Sequence, residues 1–235
     1  MKPLTQLAER IRVEAKKRAD PKRREDLHRY FKEPIETYGL NQTQNKEIAK
    51  KFYTEVKGDF EAALELTEEL MATGNMDLAS VGLRILDRFR LKLGADQFLL
   101  FDGWVEYLNN WATTDHFATH HLMMCIKDDP TLVEELVKWT SHENRWRRRA
   151  SAVTMVPIAR KGEILKEVFR IANELMLDKD DMVQKGVGWM LKEASKKQPQ
   201  EIHHYLLKWK QQSPALILRY ASEKLPDELR VLKTN

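Results

Sequence analysis

The stretch Ile164-Leu165-Lys166-Glu167-Val168-Phe169-Arg170-Ile171-Ala172-Asn173-Glu174-Leu175 carries Ile164, Val168, Ile171 and Leu175 three and four positions apart, with Lys166, Glu167, Arg170 and Glu174 between them. That spacing puts the apolar side chains on one stripe of a helix that turns every 3.6 residues; a strand, whose faces alternate every second residue, cannot collect them. Outward from this segment the same spacing recurs. Leu4, Leu7, Ala8 and Ile11 follow it, as do Phe60, Leu64 and Leu70, then Leu132, Leu136 and Trp139, then Ile202, Tyr205, Leu206 and Trp209. Between the stripes stand helix stops and starts: Pro21, Pro34, Gly58, Gly74, Gly94, Pro130, Gly162, Pro199, and Ser213 before Pro214. Thr131 with Glu134 reads as a capping box, and Ser213 with Pro214 as a cap and first turn. The expectation is roughly a dozen helices joined by short loops. Val and Ile never alternate with polar residues for long enough to suggest a sheet.

Short amphipathic helices with tight connections must each bury a face on their neighbours, which is the logic of a helical solenoid. Arg148-Arg149-Ala150-Ser151-Ala152 and Gln184-Lys185-Gly186-Val187-Gly188 both open a helix after a polar turn, at a separation typical of helical repeats. No linker or composition break divides the chain, so residues 1–235 are expected to form one domain. The fold expected is all-α, a curved superhelical solenoid. Nine glycines and eight prolines among 235 residues are few turn formers, which agrees with helices. Cys125 is the only cysteine, so a disulfide framework and a thiolate zinc site are excluded, and a reducing compartment fits. Charged residues interrupt every apolar run well short of the ~20 residues a membrane span requires. The N-terminal segment carries Glu9 and Glu14 and no apolar core, unlike a signal or transit peptide, so a cytoplasmic protein without membrane contact is expected.

Several chemistries lack their residues. There is no GxxxxGK[ST] phosphate loop, and Gly186-Val187-Gly188 neither continues to a third glycine nor follows a strand. His116 and His120 are four apart and face the same way, with His121 beside them. A closed metal site needs further ligands, adjacent Asp115 projects elsewhere, and HExxH is absent; these read as surface histidines, and no metal is expected. Cys125, within Leu122-Met123-Met124-Cys125-Ile126, reads as a buried core thiol.

Two features point to an anionic partner. All six tryptophans lie between Trp104 and Trp209. Arg145, Trp146, Arg147, Arg148 and Arg149 place four guanidinium groups at the start of a helix, where cations oppose the helix dipole and a phosphate backbone would offset them. A solvated charged turn packed over Trp146 is the competing reading. Lys16, Lys17, Arg18, Lys22, Arg23 and Arg24 form a second basic set, diluted by Glu14, Asp20 and Glu25, that reads as a solvated helix end or a secondary nucleic-acid contact. If Asn110 caps the next helix, Trp111 and Asp115 fall at i and i+4, placing a carboxylate beside an indole; a capping or salt-bridging Asp is the alternative. Trp189 stands one turn after Lys185 and reads alone as a core residue.

The sequence resembles the AlkD-like DNA alkylation repair proteins, a family of HEAT-like repeat DNA glycosylases. The resemblance is carried by Arg29-Tyr30-Phe31-Lys32 through Gly39-Leu40, by Trp111 through Asp115, by Asn144-Arg145-Trp146-Arg147-Arg148-Arg149-Ala150, and by Gln184-Lys185-Gly186-Val187-Gly188-Trp189-Met190-Leu191-Lys192-Glu193, within roughly residues 26–225. The resemblance implies that Asp115 is the catalytic aspartate, that Trp111 and Trp189 flank the damaged nucleotide, that Arg149 holds the backbone beside the lesion, and that Tyr30 lies near the same cleft. Arg148, Lys185, Asn41 and Gln42 are further expected phosphate contacts. Ala112 and Thr114 depart from the family's WDxVD pattern, and Asn41 and Gln42 replace a different polar pair. The implied activity is excision of cationic N3- or N7-alkylated purines from double-stranded DNA, with the oxocarbenium-like sugar stabilised by Asp115 and without a base-specific pocket. No metal or organic cofactor is expected, and the protein is expected to act as a monomer. A noncatalytic DNA-binding or protein-interaction scaffold is the alternative.

Overall fold

The computed structural model describes residues 3–232. Among the described residues there is no strand, only an isolated parallel bridge between Glu36 and Asn75. No helix among the described residues is long and apolar enough to cross a membrane. The chain falls into two compact units. One holds the chain up to Leu93 together with Leu99–His120; the other holds Gly94–Phe98 and the chain from His121 onward.

The first unit is built from α1 (Pro3–Lys17), α2 (Pro21–Tyr30), α3 (Gln42–Val56), α4 (Phe60–Ala72), α5 (Met76–Leu86), most of α6 (Phe98–Trp104) and α7 (Trp111–Phe117). α5 is its hub, packing on α1, α3, α4 and α7. Ile11, Ile48, Leu66, Leu83, Ile85 and Leu86 are fully buried there, each contributing about 1.5–3 kcal/mol of transfer free energy. Phe101, Trp104 and Phe117 form an aromatic cluster with ring centroids 5.0 to 5.9 Å apart. The loop between α2 and α3 is tied down by Asp77 at the start of α5. Its buried carboxylate accepts from the Thr37 hydroxyl at 2.7 Å, the Tyr38 amide at 2.8 Å and the Asn45 side-chain amide at 3.3 Å. A buried carboxylate is tolerable only with such donors around it.

The second unit contains α8 (Met123–Asp128), α9 (Val133–Trp139), α10 (Arg145–Thr154), α11 (Val156–Ala159), α12 (Leu165–Leu175), α13 (Asp181–Ser195), α14 (Pro199–Trp209) and α15 (Ala215–Ser222). Here α13 is the hub, against α10, α12 and α15. Two glycines allow the close approach. A Cβ at Gly186 would lie 3.3 Å from the Arg149 Cγ and Val153 Cγ2 of α10, and one at Gly188 would lie 2.4 Å from the Tyr220 Cβ of α15. Glu193, on the same helix, is buried between Arg160 and Lys196, each 2.6 to 2.7 Å away. Burial pushes its carboxyl up, but the hydrogen bonds from Lys196 and Arg160 win and hold it below its ordinary value.

One regularity runs through the helix starts. Asn41, Asn75, Asn110, Asn144 and Asp180 are each the N-cap of a helix, and each side chain accepts from a backbone N–H in the first turn. Successive caps are 34 to 36 positions apart, and Pro214, before α15, continues the series without a side-chain cap. The separation expected from residues 148 and 184 is thus one step of a period that begins at Asn41.

Several local expectations are corrected. Thr131 does not cap: Asp129 accepts from the Thr131 amide and hydroxyl and opens a 3-10 turn, Pro130–Leu132, while Glu134 pairs with Arg170. Ser213 does not cap α15 either, since its hydroxyl lies on the Pro214 carbonyl at 3.4 Å. Ile164 belongs to the cap of α12 rather than its first turn, at φ 42° and ψ 48°, a left-handed conformation costly for a β-branched residue. Half of the tryptophan cluster is core. Trp104, Trp139 and Trp146 are buried, so only Trp111, Trp189 and Trp209 present partly open rings. Cys125 is buried as expected, and its thiol is pushed up to about 12 by that burial.

Candidate active site

In the first unit, Asn110 caps α7 through its side-chain oxygen, which accepts from the Thr113 amide at 3.0 Å. Trp111 is therefore the first residue of the helix, and Asp115 follows one turn later, both half-buried. Thr114, at the departure from the family pattern, is fully buried, and its hydroxyl donates to the Asn110 carbonyl at 2.7 Å. The hydroxyl is thus satisfied within its own helix, and the side chain fills the space its shape-mimic Val would fill.

Trp111 forms one wall of a cavity of about 360 Å³. Phe31 stacks on the indole with centroids 5.4 Å apart, and Tyr30 meets it edge-on at 6.2 Å. Phe31 is buried, whereas Tyr30 remains 68% exposed at the C-terminal end of α2. Ala112, Thr113, His116 and His120 continue the wall along the chain from α7, and Gln42, Asn45, Asp77 and Arg84 come from α3 and α5. The residues lining the cavity do not include Asp115. Arg84 donates to the Gln42 side-chain oxygen, while its buried Nε has no hydrogen-bond partner. Burial lowers its pKa, so this guanidinium is poorly solvated and suited to an anion.

The structure thus brings Tyr30, Gln42 and Trp111 to one cavity. Asn41 instead forms a reciprocal capping box with Gln44, with distances of 2.8 and 2.9 Å. The basic set around Pro21 is partly engaged within the unit, since Arg18 pairs with Glu14 and Glu47 and Arg23 donates to the Leu40 carbonyl.

The second unit carries the remaining expected residues. The four arginines diverge. Arg145 lies over the Trp146 ring at 4.7 Å and within 3.3 Å of Asp180, and Arg147 lies over Trp139 at 5.1 Å. Arg148 donates to Asp178 at 2.7 Å and to the His142 and Glu143 carbonyls at 2.8 and 2.9 Å, locking the turn before α10 to the turn before α13. Arg149 is 6% exposed, packs on Gly186 and donates to the Met182 carbonyl. Lys185 lies 3.3 Å from Asp181 and one turn before the half-buried Trp189. Arg149, Lys185 and Trp189 are therefore gathered on and against α13, while Arg148 is held by an ion pair with the half-buried Asp178.

The histidines are not ordinary surface residues. His116 is largely buried and His121 fully so; only His120 is exposed. Asp87, which opens a 3-10 segment after α5, meets two of them: its carboxylate oxygens are 3.0 and 3.2 Å from His116 Nε2, and one is 3.1 Å from His120 Nδ1. Burial lowers the His116 pKa, outweighing the hydrogen bond to Asp87. Sequence reasoning missed Asp87 and Arg84 because neither belongs to a motif, and their relation to α7 exists only after folding.

Comparison with known proteins gives three findings. A family model described as DNA alkylation repair enzyme matches residues 11–225. No curated protein matches. Among solved structures, a predicted DNA alkylation repair enzyme from Enterococcus faecalis superposes with a TM-score of 0.76 at 18% identity, covering 89% of this chain and 97% of that one. A protein from Streptococcus mutans superposes with a TM-score of 0.58 at 19% identity, covering 78% and 92%.

Proposed function

Because the chain belongs to the family of DNA alkylation repair enzymes, we propose that it is a DNA glycosylase releasing N3- and N7-alkylated purines from duplex DNA. The observation that carries this reading is the Asn110-capped turn, which presents the Trp111 ring at a cavity bordered by Tyr30 and Arg84 and sets Asp115 one turn further on. An N3- or N7-alkylated purine is already cationic, so the glycosidic bond breaks with its electron pair returning to the base, which leaves neutral. The protein need not protonate it. Positive charge passes to the sugar, and a fixed carboxylate stabilises charge that develops only in the transition state. Asp115 has this role and also orients the water whose oxygen bonds to C1′ while its proton leaves to solvent.

Trp111 packs on the deoxyribose, where an indole face attracts a cationic sugar and excludes water, and Trp189 is taken as a DNA-contacting indole of the second unit. Each unit has its own expected DNA contacts, Tyr30 and Gln42 in the first and Arg149 and Lys185 in the second. Recognition through the backbone requires no pocket shaped to the base, unlike enzymes that flip their target into a snug site. The same reading takes the fold as an array of HEAT-like repeats, supported by the helix caps recurring every 34 to 36 positions. The test is release of free base and formation of alkali-labile sites in duplexes containing N7-methylguanine or N3-methyladenine. Release that disappears in Asp115→Asn supports the proposal; intact DNA binding without release overturns it in favour of a noncatalytic binding protein.

A further inference from the structure

Two imidazoles and a carboxylate converge beside the cavity, from three separate segments of the first unit: Asp87 from the 3-10 segment after α5, His116 from α7, and His120 from the π-turn Ala118–Leu122 that continues α7. We propose that Asp87, His116 and His120 form a site for a divalent ion of the zinc class, with an exchangeable fourth position turned to the cavity. The donor atoms all lie within 4.8 Å of one another, and a single carboxylate oxygen, Asp87 Oδ1, lies 3.2 Å from His116 Nε2 and 3.1 Å from His120 Nδ1. Tetrahedral zinc with bonds of about 2.0–2.1 Å needs its ligand atoms about 3.3 Å apart. The carboxylate–imidazole spacings therefore meet the requirement with shifts of a few tenths of an ångström, and turning the exposed His120 ring closes the remaining edge. The two rings stand edge to face, with centroids 4.6 Å apart, an arrangement that lets both nitrogens address one point.

The donor set selects the ion. Imidazole nitrogen with a single carboxylate favours zinc and its neighbours in the transition series over magnesium or calcium, which require more oxygen ligands. Three protein ligands leave one position, and both histidines line the cavity. Arg84 lines it too. A guanidinium near a dication is unfavourable unless an oxygen ligand lies between them, so hydroxide or a phosphate-type oxyanion suits the fourth position. The inference does not rest on the glycosylase reading, because Asp115 is not a donor and base release from a cationic purine requires no metal.

The full chain, stripped with chelator, is titrated with Co²⁺ and the visible d–d absorption followed, then with Zn²⁺ in competition. One equivalent of Co²⁺ giving the intense bands of a four-coordinate ion, displaced by one equivalent of Zn²⁺, is the expected result. His120→Ala removes an exposed ligand without opening the core, and it weakens Zn²⁺ at least about 100-fold while the circular dichroism spectrum is unchanged. Asp87→Asn does the same where it folds, and His120→Ala alone decides where it does not. His142→Ala and Asp115→Asn leave binding intact, which separates this result from the fate of the glycosylase reading. No stoichiometric binding by the natural sequence, or equal affinity in His120→Ala, overturns the proposal.

Discussion

The ring of Phe31 lies along the indole of Trp111, with 5.4 Å between centroids and 18° between planes. Phe31 is 6% exposed, so the indole's position in the cavity wall depends on a core residue from the end of α2. Phe31→Ala therefore costs about 3 kcal/mol of stability and releases the tryptophan. Tyr30, 68% exposed, behaves differently: Tyr30→Ala changes stability by less than about 0.5 kcal/mol while lowering excision. Urea unfolding and base release, measured on both variants, separate the two roles.

Asp115→Asn lowers single-turnover base release by about 10²-fold or more, the range for removing one preorganised electrostatic group. Filter binding to the same duplex changes by less than about twofold, because the interaction lost belongs to the transition state. An equal loss in affinity and rate would assign Asp115 to binding.

Arg148 and Lys185 part company when each is replaced by alanine. Removing Arg148 leaves the Asp178 carboxylate, 9% exposed, without its ion-pair partner, at a cost of about 3 kcal/mol, and the salt dependence of DNA binding keeps its slope. Lys185→Ala costs little stability and lowers the slope of log K against log salt by about one unit. Thermal denaturation and a salt titration of affinity check both.

Gly188→Ala overpacks. Its Cβ would meet the Tyr220 Cβ at 2.4 Å, and the resulting shift costs about 1–3 kcal/mol, more than the ~1 kcal/mol of helix propensity gained. Gly58→Ala, whose Cβ meets nothing within 4 Å, is the control and is neutral or slightly stabilising.

Glu193 gives the fold an acid-labile element. Its carboxyl is held below its ordinary value of 4.5 by Lys196 and Arg160 against the opposing effect of burial. The unfolded state therefore takes up the proton first as pH falls, and the stabilisation present above about pH 4.5 is lost as the pH passes down through the folded value. Glu193→Gln is less stable at pH 7 by about 1–3 kcal/mol, and its unfolding midpoint declines less steeply in acid. Midpoints measured from pH 7 to pH 3 on both proteins test the sign.

The helical class was legible because local spacing suffices to define a helix face: Val168, Ile171 and Leu175 lie buried where their periodicity put them. The Asn110 cap was legible too, since capping is a property of a few consecutive residues. Caps adjoining 3-10 turns were not, because Asp129 and Thr131 offer the same hydrogen-bond chemistry two positions apart and backbone geometry chooses between them. For the candidate site, the residues of each short motif were visible, but their partners were not. Nothing in the sequence joins Phe31 to Trp111, or Asp87 to His116, or announces that Arg148 is occupied by Asp178. Those contacts form between segments distant in the chain, where periodicity carries no information.

The aromatic wall also has a consequence for synthesis. Trp111 leaves the ribosome eighty positions after Phe31, a delay of roughly 4–16 s at ordinary elongation rates. Through that interval Phe31 has no indole to cover it. The Asp77 carboxylate, translated before Trp111, is the earlier anchor, holding Thr37 and Tyr38 and with them the segment that follows Phe31. A nascent chain therefore gains a tethered loop before it gains a cavity. Slowing translation beyond residue 77 prolongs a state in which an unshielded phenylalanine is open to chaperones and to neighbouring nascent chains.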